Sequence, residues 1–120
     1  MKVTQLEKIV VAALEDIKGR DIEVINTSKL TPLFERIVIA CGDSNRQVRA
    51  LANNVQEKVR EAGGEVISTE GEDSGEWVLV DLGEIVVHVM QPAIRSYYNL
   101  EELWGGKGPA RVRKAVAAGA

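Results

Sequence analysis

The run Trp-Val-Leu-Val-Asp-Leu-Gly-Glu-Ile-Val-Val-His-Val-Met, from Trp77 to Met90, constrains the fold of this chain more than any other stretch. It is apolar and β-branched on both sides of a glycine, which predicts two strands folded on each other as a hairpin. With Leu82-Gly83 as a two-residue turn, Asp81 faces Glu84. The ladder then runs outward through Val80 with Ile85, Leu79 with Val86 and Val78 with Val87 to Trp77 with His88. Side chains alternate across a strand, so Val78, Val80, Ile85, Val87 and Val89 share one wholly apolar face. The other face carries Trp77, Leu79, Asp81, Glu84, Val86, His88 and Met90. The first belongs against a core. On the second, two facing carboxylates cost roughly 0.2–1 kcal/mol unless a basic group neutralises them, and a partner is one source of that group. A wider turn is the other reading, in which the carboxylates splay into water and Trp77 and His88 pack beneath a helix.

A chain of 120 residues with 45% hydrophobic content is long enough for one real core and too short for two. The expected organisation is one domain over residues 1–104 and a flexible basic tail over 105–120. The net charge of −3 argues against a surface devoted to phosphates. That charge is unevenly spread. Lys107, Arg111, Arg113 and Lys114 give the tail +4, with no acid, and leave −7 on the remainder. An acidic body suits a basic partner. The one cysteine, Cys41, excludes an intramolecular disulfide and fits a reducing cytoplasm. No stretch is apolar for long enough to span a membrane, and the first residues lack the pattern of a signal peptide.

From the start of the chain, Leu6, Ile9, Val10, Ala13, Leu14 and Ile17 recur at helical spacing, predicting a helix over 4–18. Thr4-Gln-Leu-Glu7 has the form of a capping box, and Gly19 stands where a left-handed residue would end the helix. A short strand at 22–25 and a polar connection up to Pro32 follow. Ile37-Val-Ile-Ala-Cys41 is apolar on both faces, which predicts an interior strand covered on either side. Ser44-Asn-Arg-Gln47 is a second capping box, opening a helix with Val48, Leu51, Ala52, Val55 and Val59 on its buried stripe and Gly63-Gly64 at its end. A third strand is expected at 65–69, then an acidic, flexible loop over 70–75 and the hairpin. Pro92 suits the first turn of a last helix whose apolar positions run from Ile94 through Tyr97, Tyr98, Leu100 and Leu103 to Trp104. The order is αββαβββα, an α+β fold with a mixed sheet of about five strands flanked by helices.

Motifs for chemistry are weak. Cys41-Gly-Asp-Ser44 joins a strand to a helix but lacks the lysine of a phosphate-binding loop, and Asp43 would repel an anion. A nucleotidyltransferase needs two acids on the strand after such a turn to hold Mg²⁺, and only Glu65 stands near that place. Asp81 and Glu84 fall in a turn instead. Cys41 and His88 have nothing that orients them as thiolate and base, and one cysteine with one histidine makes no recognisable zinc site. No metal or cofactor is expected. The rival reading from another class is a nucleotide-binding or nucleotidyltransferase-like enzyme using Ser44, Asp81 and Glu84.

Four strings in order, 39–48 around Cys41-Gly-Asp-Ser44, Glu70-Gly-Glu72, Trp77 to Met90, and Arg95-Ser-Tyr-Tyr-Asn-Leu-Glu-Glu-Leu-Trp104, resemble the Iojap family of ribosomal silencing factors. The resemblance covers about Leu6 to Trp104. Asp43 stands where the family usually has threonine, and Met90 where it often has phenylalanine.

The resemblance implies a nucleotidyltransferase-like fold without its catalytic acids and a translational repressor in the cytoplasm rather than an enzyme. The implied partner is ribosomal protein fourteen (uL14) of the large subunit, bound so that the subunits cannot join. A part in large-subunit biogenesis is implied as well. On the hairpin's mixed face, Trp77 and Met90 are the expected apolar anchors, Asp81 and Glu84 the groups that meet lysine or arginine, and His88 the polar centre. Arg95 and Tyr98, on the following helix, are candidates for the border, with a core-facing ring as the other reading of Tyr98. Apart from the resemblance, a homodimer through this same face is a third reading, in which dimer and ribosome binding would compete, and the basic tail is a candidate contact to ribosomal RNA.

Overall fold

The structure, a computed structural model, describes residues 1–100. The sheet is built around β2 (Arg36–Cys41) and β5 (Ile85–Met90), which run parallel with Ile39 beside His88 and Cys41 beside Met90. Parallel neighbours need a crossover, and the chain between them supplies it: α2 (Asn45–Glu61), the short β3 (Ser68–Glu70) and β4 (Trp77–Asp81). β1 (Arg20–Asn26) flanks β2, so the strand order is β1-β2-β5-β4-β3, mixed, as the αββαβββα pattern predicts. Both α1 (Val3–Asp16) and α2 lie on one face. There Leu6, Val10, Leu14, Val48, Leu51 and Val55 close over Val38, Ala40, Val78, Val80, Val87 and Val89. The opposite face carries a smaller cluster of Ile25, Ile37, Ile39 and Met90, bordered by Ile94 of α3 (Pro92–Tyr98) and by Phe34, Trp77 and Leu100. β2 is therefore covered on both faces, as its composition requires.

Local signals fared unevenly. Ser44 caps α2 as expected, its Oγ accepting from the Gln47 N–H at 3.1 Å. Gln47 in turn accepts from the Asp43 amide at 2.7 Å and donates to the carbonyls of Ile17 and Lys18, tying the start of α2 to the end of α1. The matching motif at Thr4 forms no such box. The helix starts at Val3 with Lys2 as its cap and no side-chain bond there, because the Glu7 carboxylate is taken by Arg36 Nε of β2 at 3.1 Å. Gly19 is not the left-handed residue; Lys18 is, at φ 60°. Glycine is needed at 19 for space, since a Cβ there would sit 3.0 Å from the Leu14 carbonyl and 3.1 Å from Leu51 Cδ2.

Expectations for one strand, one loop and the last helix are also corrected. β3 covers Ser68–Glu70 rather than 65–69; the chain leaves α2 with Gly63 at positive φ, and Ile67 N–H is the first to reach the Asp81 carbonyl. The 70–75 loop is held in place by Arg49, which donates to the carbonyls of Glu72 and Asp73, each at 2.7 Å. α3 ends at Tyr98, where Asn99 turns left-handed and its N–H bonds the Arg95 carbonyl. Leu103, Trp104 and the basic tail lie outside the described residues.

Candidate functional site

The hairpin forms with its turn one residue further on than the sequence suggests. Trp77 pairs with Met90, Leu79 with His88 and Asp81 with Val86. Gly83 and Glu84 are the turn, closed by Leu82 N–H on the Ile85 carbonyl. At the first of these two positions φ is +90°, which suits a II′ hairpin turn and calls for glycine. Asp81 does not face Glu84. Its Oδ1 accepts from the Gly83 N–H at 2.8 Å, so it braces the turn, while Glu84 points into water. The slip leaves each residue on its expected face, because the turn moved by one and the pair sums by two.

On the face away from α1 and α2, β3 adds Ser68 and Glu70 beside Asp81 and Leu79. Trp77, Leu79 and Asp81 are half-buried and Glu70 is exposed. The Trp77 ring is held from two sides. Its Nε1–H donates to His88 Nδ1 at 3.0 Å, and its face meets Tyr98 with centroids 4.8 Å apart and planes tilted by 50°. Tyr97 then stands edge-on to Tyr98, with centroids 5.0 Å apart. Tyr98 is 51% exposed and Tyr97 81%, so a stepped aromatic surface runs from β4 onto α3. The core-facing reading of Tyr98 is thereby excluded, and Tyr97, which the sequence offered only as a helix apolar position, joins the surface.

His88 is only 8% exposed, and burial lowers its pKa to about 4. A neutral ring that accepts at Nδ1 carries its proton on Nε2. His88 thus acts as the seat of Trp77.

His88, expected as the polar centre of the surface, therefore lies beneath it, and so do two more expected surface residues. Met90 is fully buried in the smaller cluster, because Pro92 starts α3 two residues later and that helix folds back over it. Arg95 is buried and works inward. Its Nη1 donates to the Asp21 carbonyl at 2.5 Å and lies 3.3 Å from Cys41 Sγ, and its Nη2 is 3.5 Å from Glu23 Oε2. It fastens α3 to β1 and β2.

The enzyme constellations do not assemble. Ser44 follows the end of β2 that lies beside Met90, whereas Asp81 and Glu84 sit at the opposite end of the sheet, beside the start of β5. Six residues of strand, roughly 20 Å, separate those ends. Ser44 Oγ is engaged as the cap, and Asp43 pairs with Arg20. Cys41 neighbours Arg95 and His88 serves Trp77, so neither activates the other. Among the described residues no group of three His, Cys, Asp or Glu is placed to hold a metal ion, and no helix is long and apolar enough to cross a membrane.

This geometry has relatives. The model of the family described as "Ribosomal silencing factor during starvation" matches residues 1–118, beyond the Trp104 at which the sequence resemblance was expected to end. The ribosomal silencing factor of Chromobacterium violaceum is 58% identical over 110 residues, covering 92% of this chain and 90% of that one. The chloroplastic Iojap protein of Zea mays is 31% identical over 81% of this chain and 42% of its own length. A mouse protein named for mitochondrial assembly of the ribosomal large subunit is 30% identical over 80% of this chain and 43% of its own. A crystal structure of a Chromobacterium violaceum protein superposes with a TM-score of 0.87 at 59% identity, covering 91% of both chains. Sequence and backbone agree over nearly the whole length, and the chain belongs to the ribosomal silencing factor family, RsfS.

Proposed function

We propose that this protein represses translation by docking on ribosomal protein fourteen of the large subunit and standing where the small subunit would bind. It works by occupying space and forms no covalent bond. The observation that carries this reading is the stepped aromatic surface of Trp77, Tyr98 and Tyr97, set on a lightly roofed sheet face with Glu70, Asp81 and Glu84 at its margins. Half-exposed aromatic rings beside carboxylates suit a partner that brings apolar groups among lysines and arginines, and ribosomal proteins are generally basic. Tryptophan and tyrosine also lose little conformational entropy on binding, the more so when hydrogen-bonded in place beforehand. Trp77 and Tyr98 are the anchors and Asp81 and Glu84 the charged contacts. His88, Met90 and Arg95 hold the surface from behind. The mouse relative's name favours the large subunit as the setting, with a part in its assembly.

Asp81 braces a turn, so the test must keep its acceptor: Asp81→Asn combined with Glu84→Lys. Co-sedimentation with purified large subunits should weaken about tenfold or more, with the circular dichroism spectrum unchanged. The double variant should also restore subunit joining in vitro. Unchanged binding would place the docking surface elsewhere. Saturable Mg²⁺-dependent nucleotide binding lost on Asp81→Asn would favour an enzyme instead.

A further inference from the structure

At the end of the sheet away from α3, a groove of about 740 Å³ opens between the 32–35 loop, the α2–β3 connection and the 82–84 turn. Its floor is apolar: Leu6 and Leu82 are nearly buried, Phe34 is half-buried, and Met1 and Leu33 are 52% and 79% exposed. Gly64 lies tight against the core side of the groove, where a Cβ would sit 2.8 Å from Val59 Cγ1 and 3.4 Å from the Met1 methyl. The rim is acidic. Glu35, Glu65 and Glu84 are all exposed, and among the described residues no lysine, arginine or histidine side chain lines the groove, so the three carboxylates face a single cationic group, the Met1 amine. The nearest arginine in sequence, Arg36, is engaged elsewhere, with Glu7 Oε1 at 3.1 Å and the Glu35 carbonyl at 2.9 Å.

Like charges around an apolar floor restrict what can settle there. An anion or a nucleic acid is repelled, and a wholly apolar segment would strip water from the rim carboxylates without pairing them. A cationic segment with an apolar tip satisfies both parts.

We propose that this groove is a second docking site, taking a short basic segment of another protein. One apolar side chain of that segment enters beside Met1, Leu33 and Phe34, and flanking lysines or arginines meet Glu35, Glu65 and Glu84. The groove shares Glu84 with the margin of the aromatic surface, so the variants that test it change Glu35, Glu65 and Leu33 and leave Glu84 in place.

The test uses the full chain and a fluorescein-labelled Lys-Lys-Leu-Lys-Lys peptide, followed by anisotropy at low salt. A second peptide with serine in place of leucine isolates the apolar contribution. The proposal expects the leucine peptide to bind several-fold more tightly. Glu35→Lys with Glu65→Lys should weaken it about tenfold, and Leu33→Asn about threefold, with the fold unchanged by circular dichroism. All three positions are exposed, so these variants leave the core untouched. Equal affinity for the two peptides, or indifference to both variants, overturns the site, because only the net charge of the chain would then be at work. Failure of the wild type to bind also overturns it. If binding then appears once Lys107, Arg111, Arg113 and Lys114 are changed to glutamine, the groove belongs to the chain's own tail. If sedimentation shows a dimer that Leu33→Asn dissociates, it belongs to a second copy.

Discussion

His88 is the only histidine in the chain, which makes its burial measurable. Its pKa falls from 6.5 to about 4 because burial removes the charged ring from water. Between those two values the unfolded chain binds a proton that the folded chain refuses, so stability declines as pH falls from above 6.5 toward 4. Above pH 6.5 both states hold a neutral ring and the contribution is flat. Linkage puts the loss at about 1 kcal/mol between pH 7.5 and 5.5, and at about 3 kcal/mol by pH 4. The upper interval is the informative one, since exposed carboxylates titrate mostly below it. Urea unfolding at pH 7.5 and 5.5 reads the difference directly. The matched variant is His88→Asn, whose Oδ1 replaces Nδ1 as acceptor for Trp77 Nε1–H. The smaller side chain lowers stability by a constant amount, which cancels in the comparison between pH values. Wild type should lose about 1 kcal/mol over the interval and the variant almost none. Equal losses would show that His88 protonates freely in the fold, and the account of Trp77 as seated on a neutral imidazole would go with it.

Two further substitutions probe how the aromatic surface is held. Gly71 has φ +88°, and a Cβ there would lie 2.1 Å from the Trp77 carbonyl oxygen, so Gly71→Ala must displace the start of β4. It should cost about 2–4 kcal/mol in urea unfolding, and a cost under about 0.5 would contradict the close approach. Arg95→Met keeps the stem and removes the guanidinium from the Asp21 carbonyl and Glu23, which should cost about 2 kcal/mol and reduce the near-ultraviolet dichroism of the Trp77–Tyr98 pair.

Much of this was legible because a strand's side chains alternate. Moving the hairpin turn by one residue changed every cross-strand partner of Trp77, Leu79 and Asp81 and moved none of them to the other face. The sealed and open faces could thus be named without the correct register, but the opposed carboxylates could not. Exposure along the open face was not legible. Trp77 and Met90 are cross-strand partners, and only the path of α3 after Pro92 buries one and leaves the other half in water. The two capping boxes make the same point on a smaller scale. Thr4 and Ser44 begin equivalent strings, yet Glu7 has Arg36 within reach and Gln47 has the end of α1. The groove was invisible for a related reason: Met1, Phe34, Gly64 and Leu82 come from four separate segments, and no spacing joins them.

The asymmetry of the sheet links the fold to the proposed mode of action. Among the described residues, one face is closed by helices of 14 and 17 residues, while the other is roofed by a helix of seven. A helix that short does not persist on its own; about 12–15 residues are marginal even for favourable sequences. It stays because Pro92 starts it, Arg95 fastens it to β1 and β2, and Tyr98 packs on Trp77. The groups that hold α3 are therefore interlocked with those that form the aromatic surface, and that surface is set before any partner arrives. A protein that acts by standing in the way gains from such stiffness, because ordering the surface on contact would draw on the binding free energy. Trp77 and Leu79 stay half-buried and Tyr98 is 51% exposed beside α3, which leaves all three within reach.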